Sequence, residues 1–379
     1  MKTFLFLVGC VLLLTNPFKS RPDLPAPSAK SAFLSLKPII VSPDGKGDFR
    51  SIQAAIESVS MADSSGTERV ILIKNGLYRE KLFIDKRHFL TLRGESEAGV
   101  QIVVTQARDR WRCEHPDDNG AATLNLTAHD LRFEKLTFLN DYGFRAKGDT
   151  TIICANESGS NAPRTDRATD GRPALPREAG EPAGSKRVRK DGHQFAMRSF
   201  PGAVRLVFKN CTFRALGGDT VSPWDVTGGL YYFKDCTMEG GVDFYCPRGW
   251  AWAEGCRFIC HNLNAAIWHD GSGAESARTV LKNCTFEGDD GFKLGRYHRD
   301  AQFYLIGCRF APNMADADIY WVTGSPAPAK WGHRVYYHDC HRTGPRQAGG
   351  DYAWHRDNLP IAAKDVTVNW AFEGRWLPR

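Results

Sequence analysis

The sequence predicts an all-β chain wound as a parallel β-helix, with one short helix capping its N-terminal end, and two observations carry that prediction. A cysteine-centred hexad returns through the C-terminal half: Phe208-Lys209-Asn210-Cys211-Thr212-Phe213, Phe233-Lys234-Asp235-Cys236-Thr237-Met238, Ala253-Glu254-Gly255-Cys256-Arg257-Phe258, Leu281-Lys282-Asn283-Cys284-Thr285-Phe286 and Leu305-Ile306-Gly307-Cys308-Arg309-Phe310, with a looser echo at Tyr337-His338-Asp339-Cys340. Successive cysteines of the set stand 20 to 32 residues apart. That period suits one coil per repeat, because each coil of a β-helix buries its inward side chains only by stacking on its neighbours. The second observation is a run of short strand-like segments after residue 38, such as Val70-Ile71-Leu72-Ile73, Phe89-Leu90-Thr91-Leu92 and Gln101-Ile102-Val103-Val104, punctuated by Gly, Asn and Asp.

Taken in order, Met1–Leu14 has one Lys before the apolar run Phe4 to Leu14, the layout of a secretory signal and too short for a membrane span. A secreted or periplasmic protein is expected. Leu7-Val8-Gly9-Cys10 also has the form of a lipoprotein cleavage box, but the apolar run continues past Cys10, so lipid anchoring is the lesser alternative. Residues 17–31, rich in Pro, Ser, Lys and Ala, read as cleavage region and tether. Signal and tether thus occupy residues 1–31, and one β-helix domain occupies 39–379. In Ser51–Ser58 the apolar residues Ile52, Ala55 and Ile56, followed by Val59, recur at helical spacing. From about 143 to 192 the chain is rich in Arg, Lys, Asp, Glu, Pro, Gly and Ala and loses strand alternation after Ile153, which predicts a flexible insertion. Its basic run Lys186-Arg187-Val188-Arg189-Lys190 reads as solvated charge, with contact to an acidic polymer as the alternative.

With 42% hydrophobic and 25% charged residues, the chain has material for a continuous core, which excludes wholesale disorder. A formal charge of +7 favours an anionic partner, but no dense basic helix points to nucleic acid, and none is expected as a partner. Ten cysteines lie beyond the leader. Export would permit disulfides, whereas equivalent places in successive coils suit a ladder of buried thiols, the reading preferred here. Their spacing matches no paired Cys-x-x-Cys zinc pattern. Asn210-Cys-Thr and Asn283-Cys-Thr fit the glycosylation triplet, but a buried rung would not accept a glycan.

Val41-Ser42-Pro43-Asp44-Gly45-Lys46-Gly47-Asp48-Phe49 followed by Ile52-Gln53-Ala54-Ala55-Ile56 closely resembles the opening of pectin methylesterases. Later segments agree in order: Gly76-Leu77-Tyr78-Arg79-Glu80-Lys81, Gln194-Phe195-Ala196-Met197-Arg198, Gly218-Asp219-Thr220, Gly241-Val242-Asp243-Phe244, Leu294-Gly295-Arg296 and the closing Trp376-Leu377-Pro378. The resemblance implies a single-stranded right-handed parallel β-helix that hydrolyses methyl esters of homogalacturonan, an acidic polysaccharide, without metal or cofactor. A capped β-helix is expected to be a monomer.

Residue by residue, the resemblance makes Asp243 the nucleophile, Asp219 the general acid and base, Arg296 the residue that orients Asp243, and Gln194 an oxyanion donor. Two-carboxylate ester hydrolysis needs one ionised group and one proton shuttle, so their environments must differ. Each residue alone has an ordinary reading: Asp219 as a turn cap, Asp243 in a structural ion pair, Arg296 on the surface, Gln194 in a side-chain ladder. Their joint occurrence in family order favours catalysis. The pattern departs where the family has Gln before the acid Asp, since Gly218 stands there. Ser222, Tyr297 and His298 replace other family residues, including two sugar-facing aromatics. Tyr245, Trp224, Tyr297 and His298 are the substrate-binding candidates, with Trp250 and Trp252 as further rings, although rings in a β-helix are more often core. Competing readings are an esterase for another decorated uronate or an acetylated glycan, and a β-helix that binds acidic polysaccharide without catalysis.

Overall fold

The computed structural model describes residues 37–61, 67–115, 117–154, 184–269, 271–322, 329–344 and 350–378. The leader, the tether and Cys10 lie outside them, as do residues 155–183 of the insertion. From Ile39 onward the chain passes repeatedly through three sheets, and each strand pairs in parallel with its counterpart in the next coil. Among the described residues the first sheet has ten strands, from Ile39–Val41 to Val335–His338, and the second nine, from Gly76–Tyr78 to His341–Arg342. The third runs from Leu82–Ile84 through Leu124–Leu126 and Met197–Ser199 to Val221–Ser222. It continues by bridges through Tyr245 to Ala265–His269, Lys293–Tyr297 and Tyr320–Trp321.

The hexad encodes the turn between the first two sheets. Its third position is left-handed in every repeat: Asn210, Asp235, Gly255, Asn283, Gly307 and Asp339 have φ between 50° and 65°. Asn, Asp and Gly are the residues that enter this region at least cost. One such residue turns the chain from the first sheet into the second, and the following cysteine drops inward. Cys211, Cys236, Cys256, Cys284, Cys308 and Cys340 are all buried, and the thiols of Cys236, Cys284, Cys308 and Cys340 lie 3.3–3.5 Å from a carbonyl of the preceding coil. The expected thiol ladder is therefore present. Asn210 and Asn283 are exposed, so the burial argument against a glycan fails: it is the neighbouring cysteine that is buried.

Parallel register stacks like on like. Phe133, Phe208 and Phe233 stack at 4.9 Å between centroids, as do Phe258 and Phe286 at 4.7 Å. Such pairs add about 0.5–1.5 kcal/mol beyond the area they bury. Phe258→Leu should therefore lower stability by about 1–2 kcal/mol, read as a lower urea midpoint with unchanged slope.

At the N-terminal end, Ile52–Ser58 is the expected helix, with Ile52, Ala55 and Ile56 buried. Ser51 Oγ accepts from Ala54 N, and the Glu80 carboxylate accepts from Ile52 N and Gln53 N, placing a negative charge where helix N–H groups lack partners. Near the C-terminus of the chain, Val368–Ala371 and Phe372 fold back over Trp250, Trp252 and Tyr304 on the first sheet. These two tryptophans are core, not a sugar-stacking surface.

The ends of the insertion are ordered. Thr150–Cys154 pairs antiparallel with Gly184–Val188, and a Cys113–Cys154 disulfide ties this ribbon to the helix Arg108–Glu114. The sequence reading gave neither the ribbon nor this disulfide, because neither cysteine belongs to the hexad. Most of the basic run meets an acid flanking the ribbon: Arg187 pairs with Asp149, Arg189 with Asp191, and Lys186 lies 4.0 Å from Asp109.

Candidate active site

Asp219 and Asp243 sit at equivalent places on adjacent coils of the third sheet. Asp219 N donates to Val242 O and Asp243 N to Ala265 O. Both backbones are left-handed, with φ of 54° and 52°, a conformation that costs a non-glycine residue about 1 kcal/mol or more and gathers at functional sites. Arg296, from the strand Lys293–Tyr297, donates from Nε to Asp243 Oδ1 at 2.9 Å and from Nη2 to Oδ2 at 2.6 Å. Burial raises the Asp243 pKa above the ordinary carboxylate value; Arg296 opposes this, and the nearby Asp219 charge adds to it. The hydrogen bond to Asp243 in turn raises the pKa of Arg296. Asp219 has Arg248 Nη2 at 3.8 Å from Oδ2 and His193 Nε2 at 3.7 Å from Oδ1.

Beneath this pair lies a buried charge cluster. The Asp118 carboxylate meets Arg108 Nε at 2.7 Å, Arg198 at 3.7 Å and Arg112 at 3.8 Å. Burial alone would raise the Asp118 pKa, but Arg108, Arg198 and Arg112 hold it to about 2. Ser222 Oγ accepts from both Arg198 and Arg248, and both guanidinium groups pack on the Trp224 ring, Arg198 at 4.2 Å and Arg248 at 3.8 Å from its centroid. The chain of contacts from Asp118 through Arg198, Ser222 and Arg248 to Asp219 supports the Asp219 side of the site from below.

Four expected site residues need correction. Gln194 is fully buried: its Oε1 accepts from Gly143 N, and its Nε2 donates to Lys190 O and Gly192 O. Its amide is spent on the ends of the insertion, and it offers no donor to the two aspartates. Tyr245 is core, packed edge-on between Phe233 and Phe258. Trp224 is buried against the Arg198 and Arg248 guanidinium groups, and Tyr297 is buried with its hydroxyl 2.8 Å from His333 Nδ1, so neither presents a free ring to a sugar.

His298 remains half-buried, edge-on to Trp268. Around it the structure assembles rings the motifs did not indicate: Trp268, paired in register with Arg296, then Tyr320, one coil further, and Trp321, whose indole N–H donates to His298 O. Sequence reasoning also missed His193, Arg108, Arg112, Asp118 and Arg248, and assigned no role to Arg198. The available signal was charge inside otherwise apolar stretches, as in Phe244-Tyr245-Cys246-Pro247-Arg248.

Coils of parallel strands bearing two aspartates on neighbouring turns define a class, and the fold is the right-handed parallel β-helix of the pectin methylesterases. The enzyme of that name from Erwinia chrysanthemi superposes with a TM-score of 0.61 at 20% identity, over 91% of this chain and 99% of that one; a pectin methylesterase solved with a hexasaccharide matches to the same extent. In sequence, the Pectinesterase family model matches residues 38–159. Pectinesterase A of Dickeya chrysanthemi is 37% identical over 114 residues, 29% of this chain and 30% of that protein. Pectinesterase 31 of Arabidopsis thaliana is 27% identical over 255 residues, 66% of this chain and 64% of that protein. The chain spans less than two-thirds of the length of the curated relatives it matches. The resemblance to the pectin methylesterase family thus holds in sequence and in fold.

Proposed function

We infer that the chain is a carbohydrate esterase acting outside the cytoplasm on methyl-esterified homogalacturonan. The observation that carries this reading is the two-point grip of Arg296 on Asp243 with Asp219 one coil away. A bidentate guanidinium favours the ionised carboxylate and fixes its direction. An Asp243 oxygen would attack the ester carbonyl, forming a C–O bond and moving the carbonyl electron pair onto oxygen. Collapse would expel methoxide, which takes the Asp219 proton and leaves as methanol, while Asp243 holds the acyl group as an anhydride. Water would then attack, giving its proton to Asp219 and releasing the free uronate. Trp268, Tyr320 and Trp321 offer apolar faces along which a sugar chain could lie. Retention of both carboxylates argues against a purely binding role, since two neighbouring acids would repel a polyanion.

The test is methanol release from highly methyl-esterified pectin by the purified protein. Saturable pectin binding with no methanol or acid would sink the reading, and acetate release from acetylated pectin in its place would move the substrate to an acetylated glycan.

Arg296→Ala should lower kcat about 10²-fold, because a loosened nucleophile loses its attack geometry. The acid limb of kcat/KM should also move to higher pH. Arg296 is the group that lowers the Asp243 pKa against its burial, so removing it lets that pKa rise. An acid limb at unchanged pH would show that Asp243 does not set it.

A further inference from the structure

An ester carbonyl attacked by Asp243 develops negative charge on oxygen, and the site must offer N–H donors where that charge appears. Gln194 offers none, because its amide is bonded to backbone at the ends of the insertion. Position 218 offers no side chain at all. A Cβ built on Gly218 would come within 2.9 Å of Val242 O and 3.7 Å of His193 Cδ2, so the ground beside Gly218 is bordered by the His193 ring. His193 bridges to Gly218 across adjacent coils, and its side chain is 51% exposed, whereas that of Gln194 is fully buried. Its Nε2 lies 3.7 Å from Asp219 Oδ1, beyond hydrogen-bond length, so that nitrogen is not bonded to the acid. His193 is also close enough to Asp243 to stabilise its charge. The half-exposed ring therefore stands beside Asp219 and within electrostatic reach of Asp243.

We propose that His193 is a further catalytic residue, whose Nε2–H donates a hydrogen bond to the oxyanion formed when Asp243 attacks the ester. This rests on the ester-hydrolase reading above. In the step, the C–O bond to Asp243 forms, the carbonyl π pair moves to oxygen, and that oxygen accepts from His193 without taking its proton. On collapse the π bond reforms, the bond to methoxide breaks, and Asp219 supplies the proton of methanol. His193 ends each half-reaction in the protonation state in which it began, which separates its role from that of Asp219.

The test compares the full chain with His193→Ala and His193→Gln on methyl-esterified pectin, with circular dichroism and thermal melting to establish folding. His193→Ala should lose about 10²–10³-fold in kcat with KM within a few-fold, and His193→Gln should recover roughly 10-fold or more of that loss because an amide N–H still reaches the oxyanion. An alanine variant within about threefold of the parent, or a glutamine variant no better than alanine, overturns the proposal. A parent that releases no methanol overturns the ester-hydrolase reading instead. The second measurement then decides for His193: hexagalacturonate, whose product carboxylate stands in for the oxyanion, is added to the protein with its histidines labelled with nitrogen-15. A shift of the His193 Nε2 resonance, absent when chitohexaose is added, supports the donor, and no shift overturns it.

Discussion

Asp243→Asn should reduce methanol release from esterified pectin by roughly 10⁴–10⁶-fold, the range found when a covalent nucleophile is removed. An amide of the same shape cannot form the anhydride, whereas most surrounding contacts persist: Asp243 N still donates to Ala265 O, and Arg296 keeps access to water, its side chain being 24% exposed. The variant should therefore melt within a few degrees of the parent and still bind pectin. Full turnover by Asp243→Asn would refute the mechanism. A variant that is inactive and also unfolded would show that the Asp243–Arg296 pair holds the coils together, and Arg296→Ala would then separate the two roles.

The second large effect lies below the site. Asp118→Asn should destabilise the protein by about 3–5 kcal/mol, the cost of removing one partner from a buried ion pair, since Arg108, Arg112 and Arg198 converge on that carboxylate. The effect has a pH signature. The folded pKa of Asp118, about 2, lies below the unfolded value of about 3.9. Its stabilisation is thus complete above about pH 4 and lost as pH falls toward 2, amounting to about 2–3 kcal/mol. Urea midpoints measured from pH 6 to pH 2 should fall more steeply for the parent than for Asp118→Asn. Parallel curves would mean that the cluster is not held by Asp118. Because Arg198 and Arg248 share Ser222 below Asp219, the same variant should also lower kcat.

The coil was legible in the sequence because its cause is local. A left-handed residue between two strands demands Asn, Asp or Gly, and the residue after it must be small and apolar to enter the stack, so the hexad spells out both the turn and the thiol ladder. The helix at Ile52–Ser58 was legible for the same reason, as its apolar spacing and Ser51 cap lie within a few residues of each other. Asp219, Asp243 and Arg296 were named through the resemblance of short motifs to a known family, and each motif keeps its own turn or strand.

What the sequence by itself determined, then, was the coiled fold and its period, while its likeness to a known family supplied the three candidate residues. Only the tertiary structure decided which way the neighbours of those residues face. Gln194 and His193 are adjacent in sequence, yet Gln194 is fully buried on the backbone of the insertion's ends while the His193 side chain is 51% exposed beside Asp219. Tyr245, Trp224 and Tyr297 looked available because rings suit both a core and a sugar groove, and whether a face is free depends on arginines or phenylalanines supplied by other coils. The charge cluster draws on residues 108–118, 198, 219 and 248, which no local pattern connects. Long-range register brings them into contact, and in the low dielectric of the interior such contacts outweigh the intrinsic preferences of each residue.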